Sequence, residues 1–298
     1  MLRYTILGPE KMEGYQDELT DLESSISYPL EGGDDSFTIR HGKKYHSFFT
    51  DMGQSFFLIA RSHERICGTI AGVIKGTALG SNHIRALYVA DLKLRAGIRG
   101  KGVPRKMLLK AFCAYISSRR YRGWSFLFFA GMHGERGNVT KSFSGTHLGR
   151  LAVELSVHSI YIVKPEMLEF EDIPSHGHDL EGELELSPDK VGKVTVNSGT
   201  KDLYRSSDGS KMLLAHIHPD SSKGFISDLT RLSKRVREEF PGHLACFSVD
   251  NNRKEIINYL SERNLNTNTL CSVYAFRWPL IGPSFSSIES VSISTSEI

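Results

Sequence analysis

No apolar run in this chain of 298 residues approaches the roughly 18 that a bilayer-crossing helix needs. The opening MLRYTILGPEKMEG has no basic stretch leading into an apolar one and no small-residue cleavage site, so neither a membrane span nor export is expected. That places the chain in the cytoplasm. Cysteine is scarce as well: Cys67, Cys113, Cys246 and Cys271 are far apart and form no C-x-x-C pair. This excludes a disulfide framework and a zinc knuckle, and predicts reduced thiols and no metal. The net charge of +3 is too small to imply nucleic acid unless the basic residues cluster. Two nucleotide-binding signatures are also absent, GxxxxGK(S/T) and GxGxxG.

What remains is the composition of a globular protein, with 40% hydrophobic and 24% charged residues. The length suits two domains better than one. Strands are predicted at 2–7, 56–61, 65–74 and 84–94, the middle two forming a hairpin. From Val103 the apolar residues Met107, Leu108, Ala111, Phe112, Tyr115 and Ile116 recur at helical spacing, which predicts an amphipathic helix to about Ser118 with that stripe as its buried face. The run WSFLFFA at 124–130 reads as a central strand, a helix is expected within 138–155, and a strand at 157–163. The fold class is α/β (α+β) with mixed sheets.

Between that strand and that helix lies Arg99-Gly100-Lys101-Gly102-Val103-Pro104. A tight turn opening a helix aims backbone N–H groups and the positive end of the helix dipole at one place, which binds anions. Its glycines let a ligand come close to the backbone, and Arg99, Lys101, Arg105 and Lys106 add charge suited to a pyrophosphate and a nucleotide 3′-phosphate. The turn resembles the GNAT acyltransferase signature of Gln or Arg, two residues, Gly, one residue, then Gly or Ala. Arg99 and Gly102 fill the first two fixed positions and Pro104 departs from the third, removing one N–H donor. The resemblance covers residues 2 to 163 in element order. It implies an acyl-CoA co-substrate, with Arg99, Gly100, Lys101, Gly102, Val103, Pro104 and Arg105 at its phosphates. The main chain of Leu92, Lys93 and Leu94 would lie along the pantetheine arm, where two parallel strands splay apart.

The reaction implied moves an acetyl or longer acyl group to a primary amine, which must be neutral to attack. Asp91 and Tyr88, on the strand where the family often places its base, are the first candidates; His133 and Glu135, after the central strand, are the second. The tyrosine that family members commonly carry after this point is missing at that spacing. Between 10 and 35 there are nine acidic residues against Lys11 alone, a surface that would attract a cationic acceptor or would simply be a solvated face. His41, Tyr45, Phe48 and Phe49 would line an acceptor or acyl pocket, or form core.

The order strand, turn, helix, strand, helix, strand recurs after residue 191, with Ser222-Lys223-Gly224-Phe225 in place of the glycine turn. The expected domains are 1–165, GNAT-like and catalytic; 166–190, a linker; 191–280, a degenerate GNAT-like copy in which Tyr259 is core; and 281–298, a serine-rich mobile tail. Tandem layouts of this kind resemble N-myristoyltransferases and acyltransferases that modify lysine or ornithine of peptides, which gives weight to a peptide or protein acceptor. The alternatives are an acyl-CoA-sensing module without catalysis, and nucleic-acid binding through the basic residues from Arg95 to Arg122, which scarce exposed aromatics disfavour.

Overall fold

The computed structural model describes residues 2–29, 35–62, 65–134, 137–138, 152–171, 182–277 and 284–298. Strand β1 (Leu2–Leu7) leads through helix α1 (Pro9–Met12) into α2 (Gln16–Ser24), then β2 (Tyr28–Pro29), β3 (Ser36–Arg40) and α3 (Ser47–Met52). Three long strands follow, β4 (Gln54–Ser62), β5 (Arg65–Leu79) and β6 (Asn82–Leu94), and then α4 (Val103–Ser117), β7 (Phe126–Gly134), β8 (Gly137–Asn138) and β9 (Val153–Val163). The second half contains β10 (Glu183–Glu185), β11 (Lys193–Thr195), β12 (Asp202–Arg205), β13 (Lys211–Met212), β14 (Leu214–His218), α5 (Phe225–Glu239), β15 (Leu244–Asp250), α6 (Lys254–Glu262), β16 (Thr269–Arg277) and β17 (Ser290–Ser292).

One sheet passes through both halves, in the order β1-β4-β5-β6-β7-β16-β9-β15-β14-β11. Along this path neighbours are antiparallel except at β6–β7 and β14–β15, the two places where a helix crosses over between parallel strands. The halves interleave: β16 of the second lies between β7 and β9 of the first. A smaller sheet, β13-β12-β3-β2, likewise joins strands from both halves.

Alternation along the strands separates two faces. On one, Phe57, Ile59, Val73, Tyr88, Phe126, Phe128 and Val273 pack with Leu19 and Leu22 of α2 and with Tyr45, Phe48 and Phe49. On the other, Leu58, Ala60 and Ile70 meet Val103 and Met107 of α4. The second half packs Ala215, Ile217, Phe247 and Val249 against α5 and α6, with Tyr259 at the edge of that core.

Three expectations need correction. The apolar stripe of α4 is wider than its contact. Val103 and Met107 are buried, whereas Phe112 and Ile116, on the opposite side at about 100° per residue, are 40% and 55% exposed. The segment expected as linker contains β10, which pairs with β5 and β17 and buries Leu184. The serine-rich end is seated: Val291 and Ile293 join the first core, and Ser294, Thr295, Ser296 and Glu297 are buried. Its hydroxyls find partners in the protein, Ser294 Oγ with Ser296 Oγ at 2.8 Å and Thr295 Oγ1 donating to the Cys246 carbonyl at 3.1 Å. Low complexity there reflects hydrogen bonding, not solvation. Most of the expected helix in 138–155 falls outside the described residues, and 153–155 are strand.

Candidate active site

Strands β6 and β7 pair for only three residues, Ala86–Tyr88 against Phe126–Phe128. Each then follows its other neighbour, β6 staying on β5 as far as Leu94 and β7 on β16 as far as Met132. Beyond Tyr88 the edge of β6 that faces away from β5 has no paired strand among the described residues. The parting coincides with a bulge. Ala71 pairs with Ala90 and Thr69 with Lys93, so β6 carries one extra residue, and Asp91 takes a positive φ of 54°. A non-glycine residue there is uncommon and costs on the order of 1 kcal/mol, which its side-chain bonds offset.

The edge of β6 leads directly to the glycine turn. Gly100 and Gly102 have φ of 76° and 68°, and a Cβ at either would meet nothing within 4 Å. These glycines are therefore required by backbone conformation and leave the turn open above. Gly102 caps α4, Pro104 sits in its first turn, and the N–H groups at that end have no helical acceptor. Arg99 is exposed and folds back, Nε donating to the Leu94 carbonyl at 3.2 Å, which keeps its guanidinium between strand end and turn. Lys101, Arg105 and Lys106 are exposed beside it, while Leu92 is 38% exposed and Lys93 is buried.

On the α2 face of the bulge lies a buried ionic cluster. Lys93 Nζ pairs with Asp91 and, at 3.2 Å, with Glu23 Oε1. The Tyr45 hydroxyl donates to Asp91, and His41 Nδ1 lies 2.5 Å from Glu23 Oε1. The loop that carries His41 and Tyr45 is pinned by Gln16, which donates to the Gly42 carbonyl at 3.0 Å and accepts from the Tyr45 N–H at 2.9 Å. Gly42, at φ 62°, is required there because a Cβ would overlap the Gly199 carbonyl oxygen at 1.9 Å. Burial pushes the Asp91 carboxyl up, but Lys93 and the Tyr45 hydroxyl outweigh it and hold it below the usual carboxylate value. Burial lowers Lys93, and Asp91, Tyr28 and Glu23 more than restore it, so its ammonium is held above the ordinary value. Burial, together with Lys93, depresses His41, which is therefore neutral. The ligand atoms of Glu23, His41 and Asp91 lie within 4.8 Å of one another, and the cation bound to both carboxylates is the Lys93 ammonium.

The candidate residues do not form one group. Asp91 and Tyr88 project to the α2 face, where Tyr88 stacks on Phe128 at 4.8 Å and donates to the Glu297 carbonyl at 2.7 Å. His133 projects to the other face and shares a hydrogen bond of 2.8 Å with Ser272 Oγ. Glu135 lies outside the described residues. Of the acidic residues before residue 35, Glu10, Glu13 and Asp17 are exposed, whereas Glu18 and Asp21 are engaged by the sheet. Glu18 pairs with Arg61 at 2.8 Å and accepts from the Ile66 N–H at 2.7 Å, and Asp21 bridges Arg65 and Arg95, so these carboxylates fasten α2 to the sheet. Glu31 and Asp34 lie outside the described residues. His41, Tyr45 and Phe49 are fully packed core.

Sequence reasoning missed Lys75, Lys93 as a side chain, Lys201 and Glu297. Lys75 pairs with Glu297, which also accepts from Ser187 Oγ at 2.6 Å. Lys201 donates to the Ile298 carbonyl, lies 4.9 Å from the Phe48 ring centroid and is pushed by burial down to about 8. The available signal was a lysine inside an apolar strand, as in VIKGTAL.

No family model and no curated protein matches the chain. Solved structures do. A tandem GNAT protein from the clavulanic acid biosynthesis pathway aligns over 95% of this chain and 100% of its own, with a TM-score of 0.52 at 10% identity. The chain has the tandem GNAT fold. The N-myristoyltransferase of Saccharomyces cerevisiae, solved with bound myristoyl-CoA, aligns over 98% of this chain and 85% of its own, with a TM-score of 0.50 at 8% identity.

Within the tandem GNAT fold the two parallel strand pairs invite comparison. In the second half β14 and β15 also pair for three residues, and α5 follows a turn at Gly224. There two carboxylates knit the turn before the helix to its first turn. Asp228 Oδ2 accepts from the Asp220 N–H at 2.8 Å and Asp228 Oδ1 from Arg231 Nε at 2.7 Å, while Asp220 Oδ1 accepts from the Ser222 N–H at 3.1 Å. On the sheet face opposite α5, Ser248 Oγ donates to the Ile293 carbonyl at 2.8 Å and Thr295 Oγ1 to that of Cys246 at 3.1 Å.

Proposed function

We propose that this chain is an acyl-CoA-dependent N-acyltransferase with a single site, at β6, β7 and the Arg99–Pro104 turn. The observation that carries this reading is the short parallel pairing of β6 and β7, which leaves the Val89–Leu94 edge open and ends in an exposed glycine turn capping a helix. The N–H groups of Gly100, Gly102, Val103 and Arg105, with the side chains of Arg99, Lys101 and Arg105, would take the phosphates, the Lys101 N–H being donated to the Ile98 carbonyl at 3.4 Å. The main chain of Leu92, Lys93 and Leu94 would take the pantetheine amides as an added strand does. Transfer of an acetyl or fatty acyl group to a primary amine then rests mainly on alignment of the two substrates and on N–H groups facing the thioester carbonyl. A lysine or ornithine side chain of a peptide or protein is the acceptor class we favour, because the interleaved halves offer a continuous surface on which to hold one. The likeness to a fold that binds myristoyl-CoA supports a long-chain donor.

Asp91 is held ionised, so it is a weak proton acceptor and serves by fixing the bulge that aims the Leu92 main chain. This same saturation is what favours the second reading, an acyl-CoA sensor without turnover. The test is calorimetric titration with acetyl-CoA and myristoyl-CoA, followed by release of free CoA thiol in the presence of lysine- and ornithine-containing peptides. Arg99→Ala combined with Gly102→Glu is expected to weaken CoA binding more than ten-fold, because charge-assisted hydrogen bonds contribute about 1.5–3 kcal/mol each. Absence of binding by every CoA species sinks both readings; binding without thiol release under any acceptor selects the sensor.

A further inference from the structure

The small sheet lies over the main one on the α2 face, and the layer between them is an apolar seam: Phe37, Leu203 and Met212 from the small sheet meet Cys271, Cys246 and Leu214 from the main one. The seam is loosely shut. Among the described residues eight of its fourteen members are only partly buried, against eleven of thirty-three in the first core. It crosses the main sheet from β7 to β14, four strand spacings or about 19 Å.

Each end meets an opening. At the near end, Ala130 and Met132 follow directly on the Phe126–Phe128 stretch of β7 that pairs with β6, and Tyr28 stacks on Phe37 at 5.5 Å. Burial pushes the Tyr28 phenol up to about 12, and Lys93 and Asp91 are close enough to act on it, which sets this end beside the bulge. At the far end is a cavity of about 20 Å³ whose apolar wall is Leu203, Met212, Leu213 and Leu214, with Lys201 and His216 also lining it. That is room for the end of a chain, not for a ligand of its own.

We propose, on the reading that the β6–β7 split holds acyl-CoA, that a long saturated acyl chain leaves the split at Met132 and lies in this seam, with Leu203 and the cavity behind it setting the longest chain accepted. An alkyl chain suits the seam because it brings no polar group into it, whereas a peptide would carry in N–H and C=O groups that find no partners between apolar walls. An acetyl group would end at the split and leave the seam unused.

The experiment is calorimetric titration of the full chain with acetyl-, octanoyl- and myristoyl-CoA. Affinity is expected to rise at least about a hundred-fold from acetyl to myristoyl, since each added methylene leaves water. Met132→Trp, at the near end, should cancel the gain for both longer chains. Leu203→Trp, at the far end, should cancel it for myristoyl-CoA beyond the octanoyl level and leave octanoyl-CoA bound as in wild type. Acetyl-CoA serves as the control for folding in both, and Met132→Phe and Leu203→Phe make the same test with smaller steps where a tryptophan variant loses it. Equal affinity of the wild type for all three donors overturns the seam and leaves acyl-CoA at the split standing; no binding of any of them removes both. A chain-length gain that survives in the variants at both ends, or that the Leu203 variant abolishes for octanoyl-CoA as well, also overturns it.

Discussion

Lys93→Met removes the one cation that two buried carboxylates share. The Lys93, Glu23 and Asp91 side chains are 0%, 2% and 8% exposed, so water reaches none of them in the folded state. Removing one partner of a buried ion pair costs about 3–5 kcal/mol, mostly through the charge left behind. For a chain of this size the melting temperature should fall on the order of 10 °C. The penalty should also depend on pH, in a direction the wild type does not share. In the wild type, Asp91 titrates below its unfolded value, so its contribution is present above that value and is lost only as pH falls through the folded one. In the variant, Asp91 keeps the Tyr45 hydroxyl but loses its ammonium in an apolar setting, so its carboxyl should be pushed up. Lys93 is also among the causes that depress His41, so an imidazolium can replace the lost ammonium below neutral pH. The gap between variant and wild type should therefore be widest near pH 8 and narrow toward pH 5. Urea denaturation at a series of pH values measures it. A variant within about 1 kcal/mol of wild type at pH 8, or a gap independent of pH, would refute the account of a closed ionic cluster. The double variant with Asp91→Asn should recover part of the loss, as coupled partners do.

Lys201, with its ammonium pushed down to about 8, gives the opposite kind of signal. Between there and the ordinary lysine value of about 10.4 the unfolded chain holds a proton that the folded chain has released, so stability should rise with pH. A gain of roughly 1–2 kcal/mol between pH 8 and 9.5, absent in Lys201→Met, is the expected result in chemical denaturation. Asp228→Ala should destabilise the second half by about 1–2 kcal/mol, because the Asp220 N–H and Arg231 both lose their acceptor; melting curves that superimpose would contradict a structural role for this carboxylate. Ile293→Ala should cost about 2–5 kcal/mol, a core-sized loss, where a solvated tail would register almost none.

The sequence made the strands, α4, α5 and the glycine turn legible because each depends on local chemistry: alternation, helical period, and glycines at positions needing positive φ. It also exposed the worn copy of the turn in the second half. What it could not show depends on residues far apart in the chain. The insertion of β16 between β7 and β9 leaves no local mark, since both neighbours supply the same apolar environment. Glu23 looked like one of many helix-face acids until α2 was laid over Lys93. The stripe of α4 is wider than its contact because Phe112 and Ile116 are apolar without being buried, and composition alone does not tell which side of a helix the sheet covers. Segment 290–298 was misread for the converse reason, serine being as able to bond inside as outside.

That segment also sets an order of assembly. Glu297 reaches Lys75 and Tyr88 across 222 and 209 residues of chain, and Val291 and Ile293 sit in the same core as Phe57 and Ile59. On the ribosome those residues emerge after everything they pack against. The first half therefore waits, with Lys75 unpaired and an apolar patch uncovered, for roughly ten seconds or more while the rest of the chain is made at about 5–20 residues per second. Contacts of such separation slow folding and expose the unfinished core to other chains. The half that carries the glycine turn is the first to be synthesised and among the last to be completed.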